Sequence, residues 1–368
     1  MLRKILSFLT SLSTLWLLVG VACQYVPPHL FWPAGFIAMS LPGALVLNGV
    51  LLLLWLWQRP LWALWPALLI FLFYGQHTRY FTLNTPDAQP EPQEQRITVL
   101  SYNVRVFNVY KHLHAADPDL PEKEMKWVSE HPADILCLQE YYNEKGDATY
   151  DSRKRIGKQQ KRESYIGKAL TNKIGAEFGL AIFSKFPIVD KGSVSFDRPT
   201  KNQVIYIDVQ LPSKDTLRVY NMHLESMAIE EKDVEAAVQS EIGLKTKGRG
   251  IARRLKGGFI ARSHQVERLV VHILSSQHPV LLCGDLNDLP SSYTYQKLRK
   301  HLSNGFEEGG SGFGFTYNGK LPIRIDNQFF SKPLELLRFD VLDQIRFTDH
   351  FPLESTYVLA TSTEASGD

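Results

Sequence analysis

Charged residues are nearly missing from the first quarter of the chain. The whole sequence of 368 residues has 41 Lys and Arg and 38 Asp and Glu, but residues 1 to 90 hold only five of them. These five are Arg3, Lys4, Arg59, Arg79 and Asp87. This scarcity excludes acid–base chemistry from the first quarter and is typical of membrane-embedded chain.

Three apolar stretches occupy that quarter. Ile5 to Ala22 is eighteen residues without a charge, Leu30 to Trp57 is twenty-eight, and Leu61 to Tyr74 is fourteen. A helix needs roughly 20 residues to cross the ~30 Å hydrocarbon layer. No small-residue cleavage site follows the first stretch, which argues against a signal peptide. We therefore predict a membrane anchor over residues 1–83 with three transmembrane helices.

The few charges predict an orientation. Arg3, Lys4 and Arg59 mark cytoplasmic ends, whereas Cys23 to Pro33 carries no Lys or Arg. With three spans the rest of the chain emerges on the outer face, the periplasm in a two-membrane bacterium. With two spans it stays in the cytoplasm. We expect three, in an inner or plasma membrane.

Cysteine is scarce as well, and three residues give no disulfide framework. Cys137 and Cys283 lie in apolar runs, where a buried free thiol is the ordinary interpretation. Residues 84–95 contain three prolines and read as a linker. A single domain over 96–359 and a disordered tail over 360–368 complete the predicted organisation.

Polar residues stand where apolar runs of this domain stop. Two such runs are Ile97 to Tyr102 and Val280 to Gly284. Runs of this length are typical of buried strands, so we expect their polar ends to gather at one edge of a sheet core. The residues in question are Asn103, Glu140, His223, Asp285, Asn287, Asp326, Asp349 and His350.

These residues belong to six motifs that resemble the endonuclease/exonuclease/phosphatase superfamily, which includes DNase I, exonuclease III-type endonucleases, neutral sphingomyelinases and inositol polyphosphate phosphatases. The motifs are Ser-Tyr-Asn103-Val, Leu-Gln-Glu140, Asn221-Met-His223-Leu, Gly-Asp285-Leu-Asn287, Arg324-Ile-Asp326 and Thr-Asp349-His350-Phe-Pro352. Six in the family's order over about 250 residues form a specific signal. The resemblance implies a four-layer α/β/β/α sandwich and a divalent metal.

Helical patterns are fewer than strands and lie at Glu122–Glu130, Asp233–Leu244, Ala261–Gln277 and Tyr293–Leu302.

Hydrolysis of a phosphodiester requires neutralised phosphate oxygens, an activated water and a protonated leaving oxygen. Glu140 is a hard oxygen ligand suited to Mg²⁺ or Mn²⁺, and Asn103 and Asp349 are candidates to join the metal shell. His350 is the candidate general base, with Asp326 orienting its imidazole.

The remaining polar residues have less defined predicted roles. Asp285 and Asn287 are expected to contact the attacking water and the phosphate. His223 is expected to donate a hydrogen bond to phosphate or to protonate the leaving group.

Basic residues cluster in two segments. Lys145–Lys173 carries nine basic and three acidic residues, and Lys245–Arg262 carries seven basic and no acidic ones. We expect both to be loops that contact a nucleic-acid backbone or anionic lipid headgroups. Candidate substrate contacts are Arg105, Arg262, Arg253 and Arg254, although Arg105 and Arg262 are equally suited to pairing with a carboxylate.

Three functions stay open at this point. The first is a membrane-anchored nuclease or phosphodiesterase, the second a phosphoesterase acting on phospholipid or sphingomyelin, and the third an inactive membrane binding protein that retains the fold. No protein partner can be inferred. Asn103-Val-Arg105 lacks the acid found two positions after Asn in abasic-site endonucleases, which weakens assignment to that branch.

Overall fold

The computed structural model describes residues 1–84, 96–196, 202–227 and 241–360, with side chains from residue 248 onward in the last range. The helices in these ranges are α1 Leu2–Cys23, α2 Pro33–Met39, α3 Leu41–Gln58, α4 Pro60–Leu72, α5 Tyr74–His77, α6 Leu120–Glu130, α7 Glu241–Leu274, α8 Tyr293–Arg299 and α9 Gly305–Gly309.

Strands dominate the part of the chain beyond residue 95. Their bounds are β1 Thr82–Leu83, β2 Arg96–Asn103, β3 Ile135–Asn143, β4 Glu163–Thr171, β5 Glu177–Ser184, β6 Ile188–Ser193, β7 Gln203–Gln210, β8 Thr216–His223, β9 Val280–Asp285, β10 Ser303–Asn304, β11 Ser311–Gly312, β12 Asp326–Phe330, β13 Leu334–Val341 and β14 Leu353–Leu359.

The described chain forms two compact units. The first unit comprises Met1–Thr82, Ser226–Val266 and Asp288–Lys300, and the second comprises Leu83–Glu225, Glu267–Asn287 and His301–Asp368. The first unit therefore takes two segments from the stretch that the sequence assigns to one domain.

Three apolar helices of the first unit pack side by side. Ala63 of α4 shares a cluster with Leu6 of α1 and Trp55 of α3. Further along α4, Leu69 lies in a second cluster with residues near the opposite ends of α1 and α3. Beyond α1, Gln24 donates a 2.9 Å hydrogen bond to Gln76 of α5. The segment from α4 to α5 thus runs antiparallel to α3 and returns to the end at which α1 finishes.

Within the described part of the chain, two helical segments are long and apolar enough to cross a membrane, Leu2–Cys23 and Pro33–Gln58. The predicted third span is a 13-residue helix, α4, which ends before a break at Phe73. It is shorter than the roughly 20 residues that a membrane-crossing helix needs. By length and composition, the two long segments are compatible with an anchor or with a signal sequence.

The second unit contains two six-stranded sheets. Their strand orders are β13-β14-β2-β3-β5-β4 in the first sheet and β10-β12-β9-β8-β7-β6 in the second. The pairs β2–β3 and β8–β9 are parallel, and the other pairs are antiparallel. Each parallel pair therefore directs the carboxyl ends of two strands to the same edge of its sheet.

The core follows from the alternation of side chains along the strands. On β2, Ile97 and Val99 join the cluster between the two sheets, whereas Leu100 and Tyr102 join the opposite cluster with residues of α6. On the second sheet, the Tyr220 hydroxyl lies 2.8 Å from Nδ1 of His272 on the carboxyl-terminal part of α7. Helices thus cover the outer faces of two stacked sheets, and the predicted α/β/β/α sandwich is confirmed.

The two basic segments are not the loops that the sequence predicts. Lys245–Arg262 is part of the continuous helix α7, and Lys145–Lys173 contains a helical turn at Arg153–Lys158 followed by β4. The predicted helices at 122–130 and 293–302 match α6 and α8, and that at 261–277 matches the last part of α7. Most of the predicted helix 233–244, the linker from 85 to 95 and the tail from 361 lie outside the described residues.

Candidate active site

The polar residues predicted at strand ends lie at one edge of the second unit. Asn103, His223 and Asp285 are the last residues of β2, β8 and β9, and Asp326 is the first residue of the antiparallel strand β12. Asp326 is the direct register partner of Asp285. Three strand ends and one strand start therefore bring these side chains together.

Glu140 reaches the same edge by a different route from the one predicted. It does not end a strand, because β3 continues to Asn143. The pairing of β3 with β5 shifts register between Leu138 and Tyr141, and Glu140 has a φ of 49°. Such a bulge re-aims a side chain without ending the strand. The Glu140 side chain stays 38% exposed, so it is accessible to a ligand.

Four side chains converge on one point. The amide nitrogen Nδ2 of Asn103 lies 3.2 Å from Oε1 of Glu140 and 3.4 Å from Oδ2 of Asp285. Nε2 of His223 lies 3.7 Å from the same Glu140 oxygen and 3.6 Å from the same Asp285 oxygen. Two carboxylate oxygens thus lie together with an amide and an imidazole.

Asp326 and His350 form a second, buried group beside the first. Nδ1 of His350 lies 2.9 Å from Oδ2 of Asp326, which leaves Nε2 as the ring nitrogen available to another group. Thr316 accepts hydrogen bonds from the backbone N–H groups of Ile325 and Asp326. Thr348 accepts one from the N–H of His350. The two threonines hold the backbone on both sides of the pair.

Burial and charge shift the proton affinities in this site. Burial, followed by the charge of Asp326, raises the pKa of Asp285 to about 6. Burial by itself lowers the pKa of His350, but Asp326, Asp285 and Asp349 outweigh it and raise that pKa to about 10. The negative charge of several carboxylates therefore dominates the site.

A tight turn after β9 positions Asp285 and Asn287. The backbone N–H of Asn287 donates a 2.7 Å hydrogen bond to Oδ1 of Asp285, and Nδ2 of Asn287 donates to the carbonyl of Leu224. Gly284 precedes them with a φ of 133°, and a Cβ there would lie 2.0 Å from the carbonyl oxygen of Met222. Only glycine allows β9 to approach β8 this closely, which explains the Gly-Asp285 sequence.

The chain after Asn103 makes a left-handed turn. Arg105, Val106, Phe107 and Asn108 all have φ between 41° and 52°. This conformation costs non-glycine residues roughly 1–2 kcal/mol each. Phe107 is fully buried, and Asn108 donates to Glu124 at 2.7 Å and to the carbonyl of Phe347 at 3.0 Å. Packing and hydrogen bonds therefore maintain the strained turn.

The turn directs Arg105 toward the motif that contains His350. Nε of Arg105 lies 3.5 Å from Oδ1 of Asp349, and both side chains are partly exposed. The backbone N–H of Arg105 also donates to Oδ1 of Asn103. Arg105 is thus a cation at the rim of the polar cluster.

The other predicted substrate arginines belong to the first unit. Arg262 is fully buried, and its Nε donates a 2.9 Å hydrogen bond to Asp288. Of the two predicted roles of Arg262, substrate contact and pairing with a carboxylate, the structure shows the pairing. Arg253 and Arg254 are exposed on α7 and stay a prediction as substrate contacts.

Two buried amides connect the sheets behind the site. Nε2 of Gln139 donates to Oδ1 of Asn221 at 2.7 Å, and Nδ2 of Asn221 donates to the carbonyls of Leu138 and Ala181. Both side chains are fully buried. Sequence reasoning did not assign them a role. Gln139 precedes Glu140 and Asn221 stands two residues before His223, so their place in these motifs could have marked them. Thr316 had no comparable signal.

The donor set fits a hard divalent cation. Glu140 and Asp285 contribute carboxylate oxygens, and Asn103 is an amide whose oxygen and nitrogen ends are interchangeable by a rotation of the side chain. Asp285 is almost fully buried beside a second acid. Mg²⁺ and Mn²⁺ prefer such oxygen ligands and compensate such charge. The ligand atoms of Asp285, Asp326 and His350 also lie within 4.8 Å of one another.

Two family models match the chain. The model described as the endonuclease/exonuclease/phosphatase family matches residues 100–350, and a domain of unknown function matches residues 3–80. The first match includes every predicted site residue, and it covers more than half of the chain. No curated protein sequence gives a significant match.

Solved structures to which the chain is similar share little sequence with it. The human Nocturnin catalytic domain with bound sulfate has 15% identity and a TM-score of 0.48, with 72% of this chain and 97% of that chain covered. A Bacteroides thetaiotaomicron endonuclease/exonuclease/phosphatase family protein has 18% identity and a TM-score of 0.49, with 73% and 100% covered. The mannosyl-6-phosphatase of the same organism has 20% identity and a TM-score of 0.47, with 72% and 100% covered.

Proposed function

The chain belongs to the endonuclease/exonuclease/phosphatase family, and on that premise we propose that it is a membrane-anchored, divalent-metal-dependent phosphoesterase that hydrolyses phosphodiester bonds. Members of the family are phosphoester hydrolases and typically require a divalent metal. The observation that carries the proposal is the convergence of Asn103, Glu140, His223 and Asp285 beside the His350–Asp326 pair.

Glu140 and Asn103 would hold Mg²⁺ or Mn²⁺, with Asp349 joining the metal shell. The accessible Glu140 side chain supports this assignment, because Mg²⁺ usually binds through one or two carboxylates together with a substrate phosphate. When bound, the metal would neutralise charge on the phosphate oxygens. The amide nitrogen of Asn103 lies 3.2 Å from Glu140 and 3.4 Å from Asp285, and rotation of the side chain would present its amide oxygen to the metal instead.

The proton transfers divide between Asp285 and His350. With a pKa of about 6, Asp285 is ionised at neutral pH and close to the optimum for accepting a proton from the attacking water. His350 carries its proton at neutral pH, because its pKa is raised to about 10. In our proposal Asp285 is therefore the base, in place of His350, and the His350 imidazolium stabilises charge on the phosphate.

Three further groups act on the substrate. His223 lies beside the Asp285 carboxylate and would donate a proton to the leaving oxygen. Asn287 is fixed by the turn after β9 and would contact the phosphate. Arg105 is the nearby cation that would bind a non-bridging oxygen.

A phosphodiester polymer or headgroup fits the charge of the chain better than a small monoester. Two segments carry net charges of +6 and +7, since nine basic residues stand against three acidic ones in the first and seven against none in the second; in the second, Arg262 is buried against Asp288 and the other six are the charges that a substrate could use. One phosphate does not need so much positive charge. A nuclease or related phosphodiesterase is the first proposal. A phosphoesterase acting on phospholipid or sphingomyelin is the second, favoured by the apolar amino-terminal helices.

We further propose that the first 83 residues anchor the protein in an inner or plasma membrane, that residues 84–95 are a linker and that residues 96–359 are catalytic. The antiparallel course of α4 and α5 supports a third crossing, because Gln76 reaches Gln24 just beyond α1. Together α4 and α5 span residues 60–77, close to the length of a membrane-crossing helix. The catalytic part would then lie on the outer, periplasmic face.

A substrate panel tests the proposed activity. The purified full chain would be incubated with Mg²⁺ or Mn²⁺ and plasmid DNA, single-stranded nucleic acid, sphingomyelin, phosphatidylinositol phosphates or a soluble diester. We expect hydrolysis of at least one diester and little release of phosphate from monoesters. Activity confined to monoesters would contradict the proposal, and activity confined to the lipids would favour the second candidate.

A further inference from the structure

The first part of α7 contacts α2, at the start of the second long apolar segment, and the stretch that joins this segment to α1. The Phe259 ring packs edge-to-face on Phe36 of α2, with ring centroids 5.2 Å apart. It also fills the space beside Gly35, where a Cβ would lie 2.5 Å from its Cδ2 atom. His29 stacks on His264 at 4.4 Å and lies 3.1 Å from the Ser263 hydroxyl. All of these residues belong to the first unit.

The joining segment exposes aromatic and aliphatic side chains. Tyr25, Leu30, Phe31 and Trp32 are between 44% and 75% exposed. Aromatic side chains of this kind are enriched where transmembrane helices meet the headgroup layer. The ammonium group of Lys256 lies over the Trp32 ring, 4.6 Å from its centre, which is a cation–π contact between α7 and this segment.

Positive charge covers the same part of α7. Residues 248–266 contain five basic residues and no acid, and residues 1–84 contain no acid either. Leu255 and Phe259 are buried on one side of the helix, whereas Arg249, Ala252 and Arg253 are exposed. Arg249, Arg253 and Lys256 are separated by three or four residues and therefore share a helix face. The face is basic and lies on a unit rich in exposed apolar side chains.

We propose that this face of α7, together with the segment 25–32, forms an interfacial surface that binds anionic lipid headgroups. Basic residues near such a membrane contribute about 1 kcal/mol each, and exposed apolar residues insert below the phosphates. Duplex DNA would match the charge, but it offers a phosphate backbone and no apolar phase for the aliphatic and aromatic side chains beside that charge. The proposal rests on the membrane anchoring proposed above.

The labelling rate of an exposed thiol on α7 would measure whether this face contacts lipid headgroups. The three native cysteines are buried, so Ala252→Cys supplies the reactive group between Arg249 and Lys256. The full chain with this substitution would be placed in nanodiscs of phosphatidylcholine, with or without phosphatidylglycerol, and labelled with a water-soluble maleimide. We expect labelling to slow several-fold in the anionic discs and to recover at high salt, because salt screens the attraction.

Two charge variants with the same net change complete the test. Arg249→Ser, Arg253→Ser and Lys256→Ser together should abolish the effect of phosphatidylglycerol. As a matched control, Arg153→Ser, Lys154→Ser and Lys158→Ser remove three exposed charges from the other unit and should preserve it. Equal labelling in both discs, or equal loss in both variants, would overturn the proposal.

Two other results separate this proposal from alternatives. Duplex DNA that slows labelling in neutral discs, without any effect of phosphatidylglycerol, would assign the face to nucleic acid and overturn the lipid proposal. Failure of the protein to enter discs or to resist carbonate extraction would overturn the anchoring and this surface together. If the protein enters the discs but phosphatidylglycerol does not change the labelling rate, only the proposed lipid-binding surface would be overturned.

Discussion

Asp326 and His350 are two residues whose contact defines a single functional group. Both side chains are almost fully buried, and one ring nitrogen of His350 is occupied by the Asp326 carboxylate. Without the carboxylate, the imidazole loses its orientation and the charge that keeps it protonated. Removing either side chain should therefore damage the same interaction with substrate.

Substitution of the pair tests this unit directly. We expect His350→Ala and Asp326→Ala each to lower turnover by on the order of 10² or more, as for the loss of a preorganised donor that stabilises charge in the transition state. The double variant should lose much less than the product of the two single effects, because the residues act together. His112→Ala, at an exposed histidine, is the control and should retain full turnover.

Single effects that multiply would show that Asp326 does not orient His350. Asp349 would then be the carboxylate to test for that role. Asp285→Asn should also lower turnover steeply, since an amide cannot accept the proton that our proposal assigns to Asp285.

The left-handed turn is the element whose conformation needs most support. Four consecutive residues adopt positive φ, and Asn108 is held by Glu124, whose carboxyl group is fully buried. Burial raises the pKa of Glu124 well above its ordinary value of 4.5. Glu124 is therefore protonated in the folded protein at a pH where the unfolded chain has released that proton.

This difference gives a pH dependence with a defined sign. The folded state binds more protons than the unfolded state above pH 4.5, so the contribution of Glu124 to stability is present below that pH and is lost as pH rises. Glu124→Gln cannot lose a proton, so its melting temperature should rise relative to the native chain as pH increases above 4.5. A difference in melting temperature between Glu124→Gln and the native chain that is the same at every pH would contradict a protonated Glu124 in the folded protein.

Asn108→Ala tests the same hydrogen bond by removing its donor. It leaves a buried carboxyl group without its donor, which costs about 1–3 kcal/mol. We expect a lower melting temperature and a higher KM, because Arg105 would no longer be held at the site. Differential scanning fluorimetry and steady-state kinetics measure both effects. An unchanged KM would separate the turn from substrate binding.

The strand ends could be predicted from the sequence, but the details of two elements could not. The apolar runs before Asn103, His223 and Asp285 predict strands that end at these residues. The structure confirms all three strand ends. The bulge at Glu140 has no glycine or proline to mark it, since the sequence there is Leu-Gln-Glu-Tyr. The glycines of 248–258 favoured a loop, yet Leu255 and Phe259 pack on neighbours, and tertiary packing outweighs helix propensity.

At the scale of the whole molecule, the number of crossings in the proposed membrane anchor decides on which side of the membrane the substrate would be met. The length of α4 favours two crossings, whereas the hydrogen bond between Gln24 and Gln76 of α5 favours three. We propose three, so a reporter enzyme that works only outside the cytoplasm should be active when fused after Leu359. A reporter fused before Arg3 should be inactive. Activity of a cytoplasm-specific reporter after Leu359 would reject the third crossing.

Metal-dependent hydrolysis at Glu140 is the central claim, and chelation of the purified full chain tests it most directly. With a soluble diester as substrate, excess chelator should abolish turnover, and Mg²⁺ or Mn²⁺ should restore it. Glu140→Gln should lose most of this restoration while it keeps the native melting temperature, because the side chain is partly exposed and carries no core packing. Undiminished turnover in excess chelator, or a fully active Glu140→Gln protein, would contradict the account.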